Sequence, residues 1–319
     1  MSSHPDVQAR LDPVRVPMTL PLLFEQKRRG EPIVMVTAYD YPSARAAEAA
    51  GVDLVLVGDS AATTMLGYNA TTPVELGDML VLTRAVRRGI STPLLIGDLP
   101  FGSYEVSDEQ AVRTALRMVK EGGCDAVKLE GGSSAPASRA RAIAAAGIPV
   151  MGHVGLTPQT STALGGWKAQ GRSAAAAARI AREALALEHA GCFAIVFEAI
   201  PAAVTDELMA LVEVPVIGIG AGGATDGQVL VFHDLLGIRD GLGPRFVKRY
   251  ANIQLQMNEG VAAYAEDVRS RRYPAPEHTY SIDPAELALL RELLAAGQPL
   301  HEREQRGNEG EQPRPEPTA

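Results

Sequence analysis

One short pattern recurs along the chain and constrains the fold more than any other feature. In each copy a helix-like segment ends in glycine, and a short apolar run follows within one or two residues; the glycines are Gly51, Gly123, Gly147 and Gly191. Glycine suits the left-handed position that closes a helix. Short runs rich in Val, Ile and Leu are typical of strands that are buried on both faces. Helix followed by strand, repeated, predicts βα units and a parallel sheet.

The number of candidate strands distinguishes between two parallel folds. Eight segments qualify, at about 33–38, 53–58, 94–98, 125–130, 148–153, 193–198, 215–220 and 229–233. The last is the weakest, because 225–236 fits a helix equally well. Eight βα units in about 250 residues is the size of a (β/α)8 TIM barrel. A doubly wound sheet, which is the alternative, usually needs fewer strands. We therefore predict an α/β chain with a (β/α)8 barrel.

The flanking segments are expected to add little to this barrel. We expect a flexible arm over 1–17 and a barrel domain over 18–280, which includes a short N-terminal helix at 19–29. The C-terminal extension begins with an extra helix at 281–297, because Asp283-Pro284 supplies a cap and a proline for its first turn. Residues 298–319 have almost nothing to bury, and we expect a disordered tail there.

Composition excludes several classes of protein. The chain has 38 acidic residues against 30 Lys plus Arg, a net charge of −8, which argues against a nucleic-acid partner. Two cysteines are too few for a disulfide scaffold or a Cys-rich zinc site. The first 17 residues contain no apolar core of a signal peptide, and no apolar run approaches the roughly 18 residues of a membrane span. We expect a cytoplasmic protein without a membrane partner.

Polar residues at the ends of the predicted strands are the candidates for chemistry, because the carboxyl ends of barrel strands build the active site. They are Asp59, Ser60, Asp98, Lys128, Glu130, His153 and Glu198. Lys128 and Glu130 are two residues apart, so they share one face of their strand. Any one of these acids alone is equally well explained as a helix cap or as half of a surface ion pair. Four acids at successive strand ends indicate a site.

Carboxylates that converge in a partly buried cleft repel one another unless positive charge lies between them. Oxygen ligands favour Mg²⁺, and the six histidines form no pair at a useful spacing for zinc. We therefore predict Mg²⁺ held by Asp59 and Asp98, with Glu130 bound directly or through water. His153 is either a substrate ligand or a hydrogen-bonded barrel histidine, and the sequence does not separate these.

Two glycine-rich segments lie near the predicted strand ends. Residues 218–223 (GIGAGG) fit G-x-G-x-x-G, and Asp240 follows at about the distance of a dinucleotide site. The motif follows a late βα unit, however, so we favour a loop after strand 7 whose small residues allow a ligand to approach the backbone. Residues 152–172 are either a mobile loop over the mouth of the barrel or an ordinary connection.

Taken together, the sequence motifs resemble those of the ketopantoate hydroxymethyltransferase family. The matching segments are TAYDY at 37–41, LVGDS at 56–60, GDLPF at 97–101, VKLEGG at 127–132, GHVGLTPQ at 152–159, GGWKAQGR at 165–172, IGIGAGGATDGQ at 217–228 and HDLLGI at 233–238. They run in the family's order and cover about residues 19–278. The departures are Trp167, where Tyr is frequent, and the long tail.

The resemblance implies a (β/α)8 barrel of the phosphoenolpyruvate mutase/isocitrate lyase type. It implies transfer of a hydroxymethyl group from 5,10-methylenetetrahydrofolate to 3-methyl-2-oxobutanoate through a Mg²⁺-stabilised enolate, giving 2-dehydropantoate for pantothenate and coenzyme A synthesis. The family's metal ligands fall on Asp59, Asp98 and Glu130. Its oxoacid contacts fall on Asp59, Ser60, Asp98 and Lys128, and its proton acceptor falls on Glu198. Family members commonly form homo-oligomers, often decamers.

Three other functions are weighed against this one. A Mg²⁺-dependent C–C lyase or mutase of the same barrel group would act on a small 2-oxoacid without folate. A nucleotide-binding protein or oxidoreductase would use residues 218–223. A class I aldolase would use Lys128 as a Schiff base.

Overall fold

The computed structural model describes residues 15–239, 241 and 243–296. The predicted tail at 298–319, most of the predicted arm at 1–17, and Asp240 lie outside these residues. The chain divides into two compact units after Leu255. Within the described ranges no helix combines the length and apolar character needed to cross a bilayer.

The first unit is a closed barrel of eight parallel strands, so the predicted fold is confirmed and the doubly wound alternative is wrong. The strands are β1 (Ile33–Thr37), β2 (Leu54–Val57), β3 (Leu94–Asp98), β4 (Ala126–Lys128), β5 (Val150–Gly155), β6 (Ala194–Glu198), β7 (Val216–Ile219) and β8 (Gly227–Leu230). The barrel closes where β1 pairs with β8, with Ile33 opposite Gly227.

Helices precede, connect and follow the strands of the barrel. They are α1 (Leu20–Arg28), α2 (Tyr41–Ala50), α3 (Ala61–Thr64), α4 (Leu76–Arg87), α5 (Asp108–Arg117), α6 (Ser134–Ala145), α7 (Ala174–His189), α8 (Ala202–Met209) and α9 (Phe232–Leu236). Four of them, α1, α2, α5 and α7, begin at a capping side chain: Ser173, for example, accepts a hydrogen bond from the amide of Ala176 at the start of α7. Gly51 and Gly237 close α2 and α9 in the left-handed conformation that the sequence pattern predicts for Gly51.

The eighth strand corrects one prediction. It begins at Gly227, two residues before the predicted 229–233, and ends at Leu230, where a short helix follows. A β-carbon at position 227 would lie 2.4 Å from the carbonyl oxygen of Ile33. The strand starts there because only glycine allows β8 to approach β1 so closely.

Alternate residues of each strand point into the barrel and form their own apolar cluster. Ile96 on β3, Ala126 on β4, Met151 on β5 and Val196 on β6 belong to it. Two residues further along each of these four strands the same inward face carries a polar side chain. The barrel interior is therefore apolar up to the layer of these four residues and polar beyond it, at the carboxyl ends of the strands.

The opposite end of the barrel is closed by α1. Leu23 is fully buried in the same interior cluster as Ile33 and Leu54. Lys27 holds the helix in place, since its Nζ donates to Asp226 at 3.0 Å and to the carbonyl oxygen of Val214 at 2.8 Å. Access to the interior therefore comes from the carboxyl ends of the strands.

The second unit, from Gln256, contains most of α10 (Ile253–Arg269) and all of α11 (Pro284–Ala295). The Asp283 side chain accepts a hydrogen bond from the amide of Ala285, and a proline occupies the first position of α11. The division into arm, barrel, extra helix and tail stays a prediction.

Candidate active site

A cavity of 1290 Å³ opens at the carboxyl ends of the strands. Its lining includes every site residue that the sequence predicts: Asp59, Ser60, Asp98, Lys128, Glu130, His153 and Glu198. Apart from Ser60 and Glu198 these residues are buried, each with at most 4% of its surface exposed. Their position follows from strand alternation, because Asp98, Lys128, His153 and Glu198 lie two residues beyond the inward-facing Ile96, Ala126, Met151 and Val196.

Lys128 is the central cation of this group. Its Nζ lies 2.7 and 2.8 Å from the two carboxylate oxygens of Asp98 and 3.9 Å from Oε1 of Glu130. Burial alone lowers the pKa of the ammonium, but the surrounding carboxylates outweigh it and raise the pKa above its usual value. A Schiff-base lysine needs a lowered pKa. This environment therefore argues against the class I aldolase alternative.

Of the buried acids in this group, Asp59 has its negative charge least compensated by neighbouring cations. Its backbone amide donates to Oδ2 of Asp98 at 3.2 Å, and its own Oδ2 accepts from Nε2 of Gln159 at 3.0 Å. Burial, and then the charges of Asp98 and Glu130, raise the pKa of Asp59 to about 8. At neutral pH this carboxyl group retains a proton unless another cation lies beside it.

His153 joins two of the acids. Its Nδ1 is 3.4 Å from Oε1 of Glu130, and its Nε2 is 3.2 Å from Oε2 of Glu198. Burial lowers the pKa of the imidazole, but the two carboxylates outweigh it and raise the pKa to about 9. His153 is thus a barrel histidine between two carboxylates, and its predicted role as a substrate ligand stays a prediction.

Two residues that hold the acids were not predicted. Gln159 donates its side-chain nitrogen to Asp59 and its backbone amide to Oε2 of Glu130 at 3.0 Å. Tyr104 donates its hydroxyl to Oε1 of Gln159 at 2.5 Å, which fixes the orientation of that amide. Gln159 ends the motif GHVGLTPQ and could have been found there. Tyr104 has no comparable signal.

Ser60 is held by a tyrosine within the motif TAYDY. The hydroxyl of Tyr39 lies 2.8 Å from Oγ of Ser60 and accepts a hydrogen bond from Thr37 at 2.9 Å. Burial raises the pKa of Tyr39 to about 12, so its hydroxyl stays protonated. The end of β1 thus positions a side chain at the end of β2.

The donor set fits a hard divalent cation. Among the described residues, the four carboxylates of Asp59, Asp98, Glu130 and Glu198 have ion pairs with only two side chains, Lys128 and His153, so the group lacks positive charge. Among residues 15–239, 241 and 243–296, no three His, Cys, Asp or Glu side chains form a ready-made metal cage. Mg²⁺ does not require one, because it commonly uses one or two carboxylates together with water and substrate oxygens.

The glycine-rich segment at 218–223 serves the shape of the cavity. It follows β7 and leads into β8 with no intervening helix, so it lacks the helix N-terminus that a dinucleotide site requires. Gly220 has φ of 65°, and a β-carbon there would lie 2.5 Å from the ring of Phe246. The dinucleotide-binding alternative is therefore wrong, and the glycine allows an aromatic ring to pack on the backbone.

Comparison with known proteins shows the family of this chain. The family model described as ketopantoate hydroxymethyltransferase matches residues 17–276. The 3-methyl-2-oxobutanoate hydroxymethyltransferase 1, mitochondrial, of Arabidopsis thaliana is 49% identical over 88% of this chain and 83% of its own. The 3-methyl-2-oxobutanoate hydroxymethyltransferase of Moorella thermoacetica is 51% identical over 82% of this chain and 97% of its own.

Solved structures match at the level of the fold. A phosphonopyruvate hydrolase in complex with oxalate and Mg²⁺ has a TM-score of 0.52 and 15% identity, over 88% of this chain and 97% of its own. A 2,3-dimethylmalate lyase of the PEP mutase/isocitrate lyase superfamily has a TM-score of 0.51 and 17% identity, over 88% and 97% of the two chains. With the family match over most of the barrel, the chain belongs to the ketopantoate hydroxymethyltransferase family.

Proposed function

We propose that this enzyme transfers a hydroxymethyl group from 5,10-methylenetetrahydrofolate to 3-methyl-2-oxobutanoate, with Mg²⁺ as its metal. The products are 2-dehydropantoate and tetrahydrofolate, and one water is consumed. The observation that carries the proposal is the buried group of Asp59, Asp98 and Glu130 around Lys128, because it suits an oxoacid bound together with a dication. Family membership supplies the identity of the oxoacid.

Asp59 and Asp98 would hold the metal, with Glu130 bound directly or through water. Bound Mg²⁺ acts as a Lewis acid that stabilises negative charge on the 2-oxo oxygen of the substrate. Lys128 offsets the charge of the substrate carboxylate or of the developing oxyanion, since its ammonium is fixed at the centre of the site. Ser60, whose Oγ lies 2.8 Å from the Tyr39 hydroxyl, would contact the oxoacid.

Glu198 is the proposed base. It is the least buried acid of the group, with 13% of its side chain exposed towards the cavity. His153 Nε2 lies 3.2 Å from one of its oxygens, and the other oxygen would take the proton from C3 of the substrate. The resulting enolate carbon would form a bond to the one-carbon unit of the folate. Both C–N bonds of that unit break, water supplies its hydroxyl group, and tetrahydrofolate leaves with a proton on each of N5 and N10, one from water and one from C3.

The first experiment is proton NMR of 3-methyl-2-oxobutanoate in D₂O with the protein and Mg²⁺, without folate. We expect the C3 proton signal to disappear, and we expect EDTA to prevent this. If the oxoacid binds and no exchange occurs, repetition with tetrahydrofolate decides between an ordered mechanism and a wrong one. Absence of exchange in both cases contradicts the enolate mechanism.

Glu198→Gln tests the base directly. General acid–base groups contribute about 10²- to 10⁴-fold to rate, so exchange should fall by that factor while Mg²⁺ binding persists. Glu207→Gln, an exposed acid on α8, is the matched control and should exchange at the wild-type rate. Retained exchange in Glu198→Gln overturns the assignment.

Turnover that depends on folate separates this function from a lyase or mutase of the same barrel group. Such an enzyme would cleave or rearrange a small 2-oxoacid with no folate present. The homo-oligomer and the cytoplasmic location stay predictions, and sedimentation velocity of the purified protein checks the former.

A further inference from the structure

A chain of four hydrogen-bonding groups leads to Ser60 at the wall of the cavity. It begins at the backbone amide of Phe232, the first residue of α9, which donates to Oγ1 of Thr37 at 3.0 Å. Oγ1 of Thr37 donates to the hydroxyl of Tyr39 at 2.9 Å. The Tyr39 hydroxyl lies 2.8 Å from Oγ of Ser60, which lines the cavity. The start of α9 and the end of β1 are thus connected to a predicted substrate contact.

The direction of the protons along this chain follows from its first member. A backbone amide can only donate, whereas a hydroxyl group has one proton to give and two lone pairs that accept. Thr37 therefore accepts from the amide and gives its own proton to Tyr39. The Tyr39 side chain is fully buried, and a buried hydroxyl proton without an acceptor is costly. Because Thr37 is already a donor to this hydroxyl, Ser60 is left as the acceptor of the Tyr39 proton.

Other hydroxyl groups beside Ser60 do not reverse this direction. Thr64 is near the Tyr39 hydroxyl, but it gives its single proton to the carbonyl oxygen of Ser60 at 2.9 Å. Thr63 gives its proton to the same carbonyl oxygen at 3.1 Å. Oγ of Ser60 therefore accepts from Tyr39 and keeps its own proton for a partner in the cavity. That partner must be an acceptor, and a 2-oxoacid offers only acceptors, on its carboxylate and on its keto group.

We propose that this chain makes Ser60 a hydrogen-bond donor to an oxygen of the oxoacid, with Thr37 and Tyr39 as positioning residues that fix the direction of its proton. The inference rests on the proposed function, because the oxoacid is the ligand of that proposal. Thr37 and Tyr39 are at most 3% exposed, and the ring of His233 packs 5.4 Å from that of Tyr39, which holds the chain in place. A donor oriented in advance stabilises negative charge on the substrate without turning when the substrate binds.

Exchange of the C3 proton in D₂O tests the chain in solution. Ser60→Ala should lower kcat/KM for exchange about 10- to 100-fold, because a hydrogen bond to a charged oxygen is lost. Tyr39→Phe and Thr37→Val should each lower it about 3- to 10-fold, since the serine proton is then free to turn away from the substrate. Thr37→Ser keeps the hydroxyl group and should retain most of the wild-type rate. Tyr68→Phe, at an exposed tyrosine outside the cavity lining, is the control and should exchange like the wild type.

A double-mutant cycle separates positioning from a general structural effect. In the Ser60→Ala background, Tyr39→Phe and Thr37→Val should each change the exchange rate by less than about twofold, because the proton that they orient is absent. Urea unfolding of every variant shows that it is folded under the conditions of the assay. Equal losses with and without Ser60 overturn the inference, as does a Thr37→Ser variant that is as slow as Thr37→Val.

A neutron structure of the protein in D₂O tests the chain without any substrate. We expect the deuteron of Thr37 on the line to Tyr39, and the deuteron of Tyr39 on the line to Ser60. A Ser60 deuteron directed at Tyr39, or a Tyr39 deuteron directed at Thr64, overturns the inference. If the wild-type protein neither binds nor exchanges the oxoacid, the proposed function is wrong, and the neutron structure still decides the direction of the chain.

Discussion

Replacement of Lys128 by methionine removes the buried cation from the carboxylate group while nearly preserving its volume. Asp98, which is 1% exposed, then loses both of its short contacts with the ammonium. The Asp98 carboxylate then either stays charged and unpaired in the barrel interior or takes up a proton. Each course has a free-energy cost that can be worked out.

An unpaired buried charge costs about 3–5 kcal/mol of stability. Protonation costs about 1.36 kcal/mol for each pH unit above the ordinary pKa of 3.8, which is about 4.4 kcal/mol at pH 7 and about 1.6 kcal/mol at pH 5. We therefore expect Lys128→Met to lose about 3–5 kcal/mol at pH 7 and no more than about 2 kcal/mol at pH 5. The sign follows from linkage, because the folded variant then binds more protons than the unfolded chain and loses stability as the pH rises.

Urea unfolding without Mg²⁺, followed by circular dichroism at pH 5 and pH 7, measures both values. Lys120→Met, at an exposed position, is the control and should unfold like the wild type at each pH. The double variant Lys128→Met/Asp98→Asn removes the unpaired charge of Asp98 and should recover most of the stability lost at pH 7. A loss below about 1 kcal/mol at pH 7, or an equal loss at both pH values, refutes the reasoning.

Three further predictions concern stability. The Glu48 carboxylate accepts four hydrogen bonds from Ser91 and Thr92, which outweigh its partial burial and hold its pKa below the usual value. Glu48→Gln should therefore cost about 1 kcal/mol above pH 4.5, and thermal melts should show the difference closing as the pH falls through the folded-state pKa. Gly132→Ala should cost about 1–3 kcal/mol in urea unfolding, since its β-carbon would lie 2.4 Å from the carbonyl oxygen of Glu183. Gly77→Ala, on an exposed face of α4 with open space around it, should stabilise by about 0.4–1 kcal/mol, and a loss there contradicts the account.

Strands were predictable from the sequence where a pattern of neighbouring residues marks them. A helix-closing glycine followed by an apolar run identifies β2, β4, β5 and β6, and the observed bounds differ from the predicted ones by no more than two residues. The eighth strand lacks this signal, because Gln228 is exposed and only two of its four residues are apolar. Its start is set by pairing with Ile33, almost 200 residues away, which no local pattern reports.

The site residues were predictable for a related reason. In a parallel barrel the carboxyl ends of all strands face the same mouth. A polar residue that ends an apolar run is therefore predicted to be a site residue. The contacts that orient these residues could not be predicted from the sequence. Gln159 reaches Asp59 across 100 residues of sequence, and Tyr104 reaches Gln159 across 55. Such contacts depend on how loops fold over the barrel, which composition and periodicity do not specify.

Charge is layered along the barrel axis, and this arrangement explains why the site is unfavourable for the fold but useful for binding. The floor places carboxylates where burial raises the pKa of Asp59 to about 8, so part of its charge is suppressed until a cation arrives. The rim carries Arg172, Arg245 and Lys248 without acidic partners among the described residues. An anion approaching the mouth is attracted by the rim, and only a ligand that brings positive charge with it relieves the repulsion on the floor. An oxoacid bound together with a divalent cation brings negative charge to the cationic rim and positive charge to the carboxylates of the floor. The oxoacid alone or the cation alone would bring only one of these charges.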